Sequence, residues 1–129
     1  MRSTVLVADD NAMVRKAACT LLGHTEDLAD CIEAENGQEA VDKAIEKNPD
    51  LVILDYSMPV MDGLEAARRI HAALPDIPIV LFTMHGSLLK RKAMEDLGIA
   101  AMVSKSDAGT KLASTVRWLL SQRPGARAC

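Results

Sequence analysis

A doubly wound α/β domain on a parallel sheet is the fold class this chain predicts, on three observations. Short apolar runs alternate with amphipathic helical periods five times within 129 residues, at about 20–25 residues per unit. The run Leu51–Leu54 is apolar throughout, as expected of a strand covered by helices on both faces. Four runs end in chemistry: Val5–Ala8 in Asp9-Asp10, Leu51–Leu54 in Asp55, Ile79–Phe82 in Thr83, and Ala101–Ser104 in Lys105. In a parallel sheet all four polar ends emerge at one edge.

The elements follow in order. After Asp9-Asp10-Asn11, apolar residues at Val14, Ala17, Ala18, Leu21 and Leu22 keep helical spacing up to Gly23, which predicts a first helix with Val14 and Leu21 in the core. A weaker strand is expected near Asp30–Ala34. Asn36-Gly37 then turns into a helix over about 38–47 with Ala40, Val41, Ala44 and Ile45 inward, broken by Asn48-Pro49-Asp50. Asp62-Gly63 opens a third helix with Leu64, Ala67 and Ile70 inward, closed before Pro75. Pro78 precedes the fourth strand. A fourth helix is expected over about 87–97, ended by Gly98 and carrying Lys90-Arg91-Lys92. The last covers about 108–120, with Leu112, Val116 and Leu119 on one face and Trp118 off it, partly exposed. The natural topology is a flavodoxin-like (βα)5 three-layer sandwich with strand order 2-1-3-4-5. Strands one and three then meet at the switch point, where ligands bind, with Asp9, Asp10 and Asp55 at their carboxyl ends.

One domain accounts for this length. Aromatic residues make up 2% of the chain, namely Tyr56, Phe82 and Trp118, too few for a base-stacking platform. A net charge of −3 gives no electrostatic footprint for nucleic acid or a membrane surface. Cys19, Cys31 and Cys129 contain no Cys-x-x-Cys pair, which predicts unpaired thiols in a reducing cytoplasm. His24, His71 and His85 show no metal-ligand spacing. No apolar run approaches the ~20 residues of a membrane span, and no signal-peptide core is expected at the start.

Clustered carboxylates need compensation, because at an effective dielectric of ~20 each like-charge pair ~4 Å apart costs about 4 kcal/mol. Lys105 supplies one positive charge and Mg²⁺ would supply two. Mg²⁺ favours one or two carboxylates, waters and phosphate oxygens. Beside such an ion a carboxylate can act as a nucleophile toward phosphorus, while Lys105 and the Thr83 hydroxyl neutralise and bond the transferred oxygens. Each residue alone has an ordinary explanation: Asp9-Asp10 as a helix N-cap, Thr83 as a β-former, Lys105 as a solvated amine. Their common place at strand ends argues for a single site.

On these residues the chain resembles the receiver domain of two-component response regulators, from about Thr4 to Leu120. The resemblance rests on Asp9-Asp10-Asn11, the run Asp55-Tyr56-Ser57-Met58-Pro59-Val60-Met61-Asp62-Gly63, Thr83 and Lys105. It implies that Asp55 accepts a phosphoryl group from a sensor histidine kinase or phosphotransfer protein. It also implies that Asp9, Asp10, Asp55 and the main-chain carbonyl of Ser57 hold Mg²⁺, and that Thr83 and Lys105 bind the phosphoryl oxygens. The kinase would meet the start of helix one at Ala12, Met13, Arg15 and Lys16. Helix four, strand five and helix five, with Lys90, Arg91 and Trp118, would signal to an output domain, a partner or a second copy. The only reactions implied are the domain's own phosphorylation and dephosphorylation, in the cytoplasm, with no direct nucleic-acid or membrane contact. Residues 1–121 would form the receiver and 122–129 a polar tail or the start of a linker. The run Val103-Ser104-Lys105-Ser106-Asp107 resembles receivers joined to helix-turn-helix output domains.

Several positions depart from the family pattern. Met102 stands where an aromatic switch residue couples to the threonine, and methionine is flexible and ringless. Met84 is bulky where a small residue is usual, which predicts shielding of the phosphoryl group from water. Ser57 and His85 occupy positions that tune phosphate lifetime. Ser106 replaces the usual proline, so a cis bond is not expected there. Two rivals remain. One is a receiver-fold binding module that works without phosphorylation, against which the full acidic set argues. The other is a haloacid-dehalogenase-type phosphatase, which wants Asp-x-Asp and a cap domain that this chain lacks. The absence of a Gly-rich phosphate loop disfavours nucleotide binding.

Overall fold

Five strands build one sheet in a computed structural model that describes residues 3–23, 28–84 and 91–122. They are β1 (Ser3–Ala8), β2 (Leu28–Ala34), β3 (Leu51–Asp55), β4 (Ile79–Thr83) and β5 (Ile99–Ser104). All pairings are parallel and the order is 2-1-3-4-5, as the sequence predicts. The helices are α1 (Ala12–Gly23), α2 (Gly37–Lys47), α3 (Gly63–Ala73), α4 (Arg91–Asp96) and α5 (Ala108–Gln122). A short 3-10 turn over Lys105–Asp107 joins β5 to α5.

The period-2 alternation of the strands sorts the core into two halves. Leu6, Val52, Leu54 and Leu81 face Ala40, Ala44, Ala67 and Ile70 of α2 and α3. Val5, Val7, Ile53, Val80 and Phe82 face Ala18 and Leu22 of α1 and Leu112 and Val116 of α5. β1, β3 and β4 are therefore buried on both faces. In β5, Ile99 and Met102 share a face although they are an odd three positions apart. The register slip that pairs Ile79 with Ile99 but Val80 with Ala101 accounts for this, since Ala100 is passed over.

Helix starts follow local chemistry. The Asn11 side chain accepts from Met13 N (2.9 Å) and Val14 N (3.2 Å), Asn36 accepts from Glu39 N (2.8 Å), and Asp62 accepts from Glu65 N (2.9 Å). Because Asn11 caps α1, Asp10 has no capping task. α2 ends at Asn48, which makes the last i to i−4 bond to Ala44 O and whose left-handed backbone (φ 47°) then turns the chain out of the helix.

Several expectations are corrected. Ile45 is exposed, because α2 buries the small-residue stripe of Gly37, Ala40 and Ala44 together with Val41. In α1, Ala17 is exposed and Val14 and Leu21 are half-buried; only Ala18 and Leu22 among the expected residues are fully inside. Arg15, expected on a partner surface, is buried and bonded inward. Cys19 of α1 and Cys31 of β2 are joined by a disulfide, not left as unpaired thiols. Leu112, Val116 and Leu119 are buried and Trp118 is exposed, as their spacing predicts. No cis peptide bond occurs among the described residues. Residues 87–90 of the expected fourth helix, His24, His85, Lys90, Cys129 and the tail beyond 122 lie outside the described residues.

Candidate functional site

Register brings the site together at the carboxyl edge of the sheet. Ala8 pairs with Leu54, so Asp9 and Asp55 follow side by side on β1 and β3. Asp9 N extends the ladder by donating to Ala34 O (3.1 Å), and Tyr56 N does the same to Phe82 O (2.9 Å). Thr83 closes β4 and pairs with Ser104 of β5, which leaves Lys105 at the same edge. Asp9, Asp55 and Thr83 are buried, while Asp10 is exposed.

The Lys105 ammonium bridges the carboxylates, with Nζ 2.9 Å from Asp9 Oδ2 and 3.2 Å from Asp55 Oδ1. It also lies 5.6 Å from the centre of the buried Phe82 ring, a favourable distance for a cation over an aromatic face. One carboxylate oxygen each from Asp9, Asp10 and Asp55 falls within 4.8 Å of the others. Fully ionised, the cluster holds three negative charges against one ammonium, so two remain uncompensated.

Protonation reflects that imbalance. Burial, and then the Asp9 charge, raise the Asp55 pKa from 3.8 to about 6 against the opposing pull of Lys105. Burial alone would lower the Lys105 pKa, but hydrogen bonds and charge from Asp9 and Asp55 together raise it. The ammonium therefore stays charged, and Asp55 is the carboxyl that resists ionisation.

The donor set fits a hard divalent cation. It consists of carboxylate oxygens, and Asp9 Oδ2 is fully buried with the Lys105 ammonium, 2.9 Å away, as its charge partner. Such an oxygen retains coordinating capacity.

Second contacts fix the first. Asn11 N donates to Asp9 Oδ1 (2.9 Å), and Ser57 N lies 3.4 Å from Asp55 Oδ1. Arg15 Nη1 donates to the Asp9 carbonyl (2.9 Å) while its Nε donates to Glu33 Oε1 (2.8 Å). Sequence reasoning missed this role because the partners of Arg15 sit on two other elements. The loop after Asp55 folds back tightly: Gly63 N donates to Tyr56 O (2.9 Å), and a Cβ at Gly63 would lie 2.2 Å from Asp55 O. A Cβ at Gly37 would lie 2.1 Å from Met61 O, so only glycine admits this approach of α2 to the loop. Between them, Met61 N donates to Pro59 O (2.7 Å) around Val60, whose φ of 71° marks the rare, strained γ-turn.

The remaining expected residues are dispersed. Ser57, Ala12 and Met13 are exposed near the pocket, and Met84, just past Thr83, is exposed as well. Met102 is half-buried against the α2/α3 half of the core. Arg91 and Trp118 are exposed on α4 and α5. Among the described residues no helix is long and apolar enough to cross a membrane.

A family profile described as "Response regulator receiver domain" matches residues 5–117. A protein-glutamate methylesterase/protein-glutamine glutaminase of Methanosarcina mazei is 40% identical over 105 residues, 79% of this chain and 29% of that protein. The transcriptional activator protein ExaE of Pseudomonas putida is 34% identical over 118 residues, 91% of this chain and 55% of that protein. The chain thus spans well under two thirds of these relatives' lengths. Among solved structures, a LuxR-family two-component response regulator from Aurantimonas sp. SI85-9A1 superposes with a TM-score of 0.86 at 27% identity, covering 95% of this chain and 88% of that one. With its sheet order, its acidic edge and these relatives in agreement, the chain belongs to the response regulator receiver domain family of two-component signalling, whose function is to accept a phosphoryl group.

Proposed function

We propose that Asp55 is the phosphoryl acceptor, with Thr83 and Lys105 binding the transferred oxygens and Asp9, Asp10, Asp55 and the Ser57 carbonyl holding Mg²⁺. The observation that carries this reading is the Lys105 ammonium lying between Asp9 and Asp55, at 2.9 and 3.2 Å, beside three mutually close carboxylates. An Asp55 carboxylate oxygen forms the new P–O bond as the P–N bond of a phosphohistidine breaks, and the departing imidazole keeps the electron pair. Lys105 is placed to follow the charge onto the phosphoryl oxygens, and Thr83, at the end of the neighbouring strand, offers its hydroxyl. A Mg²⁺ held by these residues would supply two positive charges against the two in excess, under which the Asp55 carboxyl would be ionised for attack. Catalysis here is positioning and charge balance on a prebuilt edge.

The donor is a sensor histidine kinase or phosphotransfer protein, which meets Ala12, Met13 and Lys16 at the start of α1; Arg15 is withdrawn from that surface by its burial. Output passes through the α4–β5–α5 face by Thr83 and Met102, with Arg91, Trp118 and Lys90 toward a following domain, a partner or a second copy. This domain makes no direct nucleic-acid contact in this reading; where an output domain follows, a DNA-binding role belongs to that domain. The receiver occupies about residues 1–121, α5 continuing one residue past that boundary, and the rest is a polar tail or the start of a linker. The domain catalyses its own phosphoryl turnover only, in the cytoplasm.

The test is intact mass after incubation with acetyl phosphate, with and without Mg²⁺. Gain of one phosphoryl mass only with Mg²⁺, abolished in a folded Asp55→Asn variant, is expected. Labelling of that variant would overturn the assignment. A sizing shift on phosphorylation separates a dimerising receiver from a monomeric relay.

A further inference from the structure

We propose that Cys19 and Cys31 form a reversible redox site, a dithiol that oxidises to the observed disulfide and ties α1 to the edge strand β2 behind the acidic pocket. Their Cα atoms are 5.8 Å apart, within the range a disulfide spans without moving the backbone. Both residues are half-buried against the α1/α5 half of the core, and β2 has only β1 beside it in the sheet, so the pair lies at an edge.

The position of the pair gives it meaning. Cys19 follows Arg15 by four residues, so the two share one face of α1 a turn apart. Cys31 precedes Glu33 by two, so those two share one face of β2. Arg15–Glu33 (2.8 Å) and Cys19–Cys31 are thus successive rungs between the same two elements, one ionic and one covalent. The ionic rung also donates to the Asp9 carbonyl (2.9 Å), so the covalent rung fixes the helix one turn from the contact that anchors the carboxylate cluster.

The oxidant is a small-molecule disulfide such as oxidised glutathione. One protein thiolate attacks it to give a mixed disulfide and one glutathione thiol. The second protein thiolate then displaces the other glutathione, and the two protons lost by the cysteines end on the two glutathione thiols. Where the domain works in the cytoplasm, as in the function proposed above, a disulfide is transient and redox-sensing more often than a permanent staple.

The test uses the full chain carrying Cys129→Ser, so that the third thiol cannot compete. The protein is equilibrated across glutathione redox buffers, trapped by alkylation and read by intact mass, peptide mapping and melting temperature. Expected is a cooperative conversion from two alkylated thiols to a mapped Cys19–Cys31 bond, reversed by excess reduced glutathione. The melting temperature should rise by about 5–10 °C on oxidation, from closing a short loop in the unfolded chain. Cys19→Ser and Cys31→Ser should each abolish both changes while melting like the reduced parent. Failure of the bond to form, stable glutathione adducts in its place, or a bond that persists in fully reduced glutathione would each overturn the proposal. None of these readouts requires phosphorylation, so they stand apart from the fate of the Asp55 assignment.

Discussion

Removing the Asp55 charge should stabilise the metal-free protein at neutral pH. Asp55 is 4% exposed, and its carboxyl pKa is raised from 3.8 to about 6, first by burial and then by Asp9. Below pH 3.8 both folded and unfolded chains carry the proton. Between pH 3.8 and 6 the unfolded chain has released it while the folded chain retains it, so stability falls as pH rises through that window. Above about pH 7 the full cost is present: a difference of about 2 in pKa corresponds to roughly 3 kcal/mol. Asp55→Asn keeps the shape and removes the charge. Denaturant unfolding of reduced protein in a chelator should show the variant about 3 kcal/mol more stable at pH 7.5, with the gap closing toward pH 4. Adding Mg²⁺ should narrow the gap from the other side, because the parent with its full carboxylate set binds the ion more tightly and gains more, about 2.7 kcal/mol at a hundredfold excess over its dissociation constant. A variant no more stable than the parent at pH 7.5, or a gap indifferent to pH, would refute the electrostatic reasoning.

Four further perturbations probe other links. Gly63→Ala places a Cβ 2.2 Å from Asp55 O and should cost about 3 kcal/mol by denaturant unfolding; a neutral effect would mean that the loop yields freely. Val60→Gly relieves a β-branched residue at φ 71° and should gain about 1 kcal/mol, a loss showing that the turn is unstrained. Arg15→Met breaks the bonds to Glu33 and the Asp9 carbonyl and should cost about 1–3 kcal/mol at pH 7. The Arg15 hydrogen bond, despite some opposing burial, lowers the Glu33 pKa below 4.5, so the pair's contribution is present above pH 4.5 and fades as pH falls through the lowered value; an Arg15→Met cost unchanged at low pH would contradict this. Met84→Ala should shorten the lifetime of the phosphorylated protein in a mass-resolved decay; an unchanged lifetime would remove Met84 as a water shield.

The parts of this fold legible in the sequence are those set by local pattern. β1, β3 and β4 announce themselves as unbroken apolar runs because helices cover both their faces, and Asn36, Asp62 and Asn48 punctuate helices through their own side chains and backbone. The site edge is legible for the same reason, since parallel strands must place their polar ends together. What escaped depends on distant partners. Arg15 reads as a surface charge until Glu33 and the Asp9 carbonyl, on other elements, give it a buried role. Ile45 keeps helical spacing with Val41, yet α2 turns a face of small residues inward. Cys19 and Cys31 carry no motif spacing and meet only once α1 lies against β2. The turn at Val60 has no glycine to advertise its positive φ.

The central claim, that one carboxylate at the sheet edge takes the phosphoryl group, is tested most directly by locating that group. The protein phosphorylated with acetyl phosphate and Mg²⁺ is reduced with borohydride, which converts an aspartyl phosphate to homoserine, and the peptides are sequenced by mass spectrometry. Conversion at Asp55 alone is predicted. Conversion at Asp9 or Asp10, or no conversion in a folded, metal-replete protein, would contradict the account.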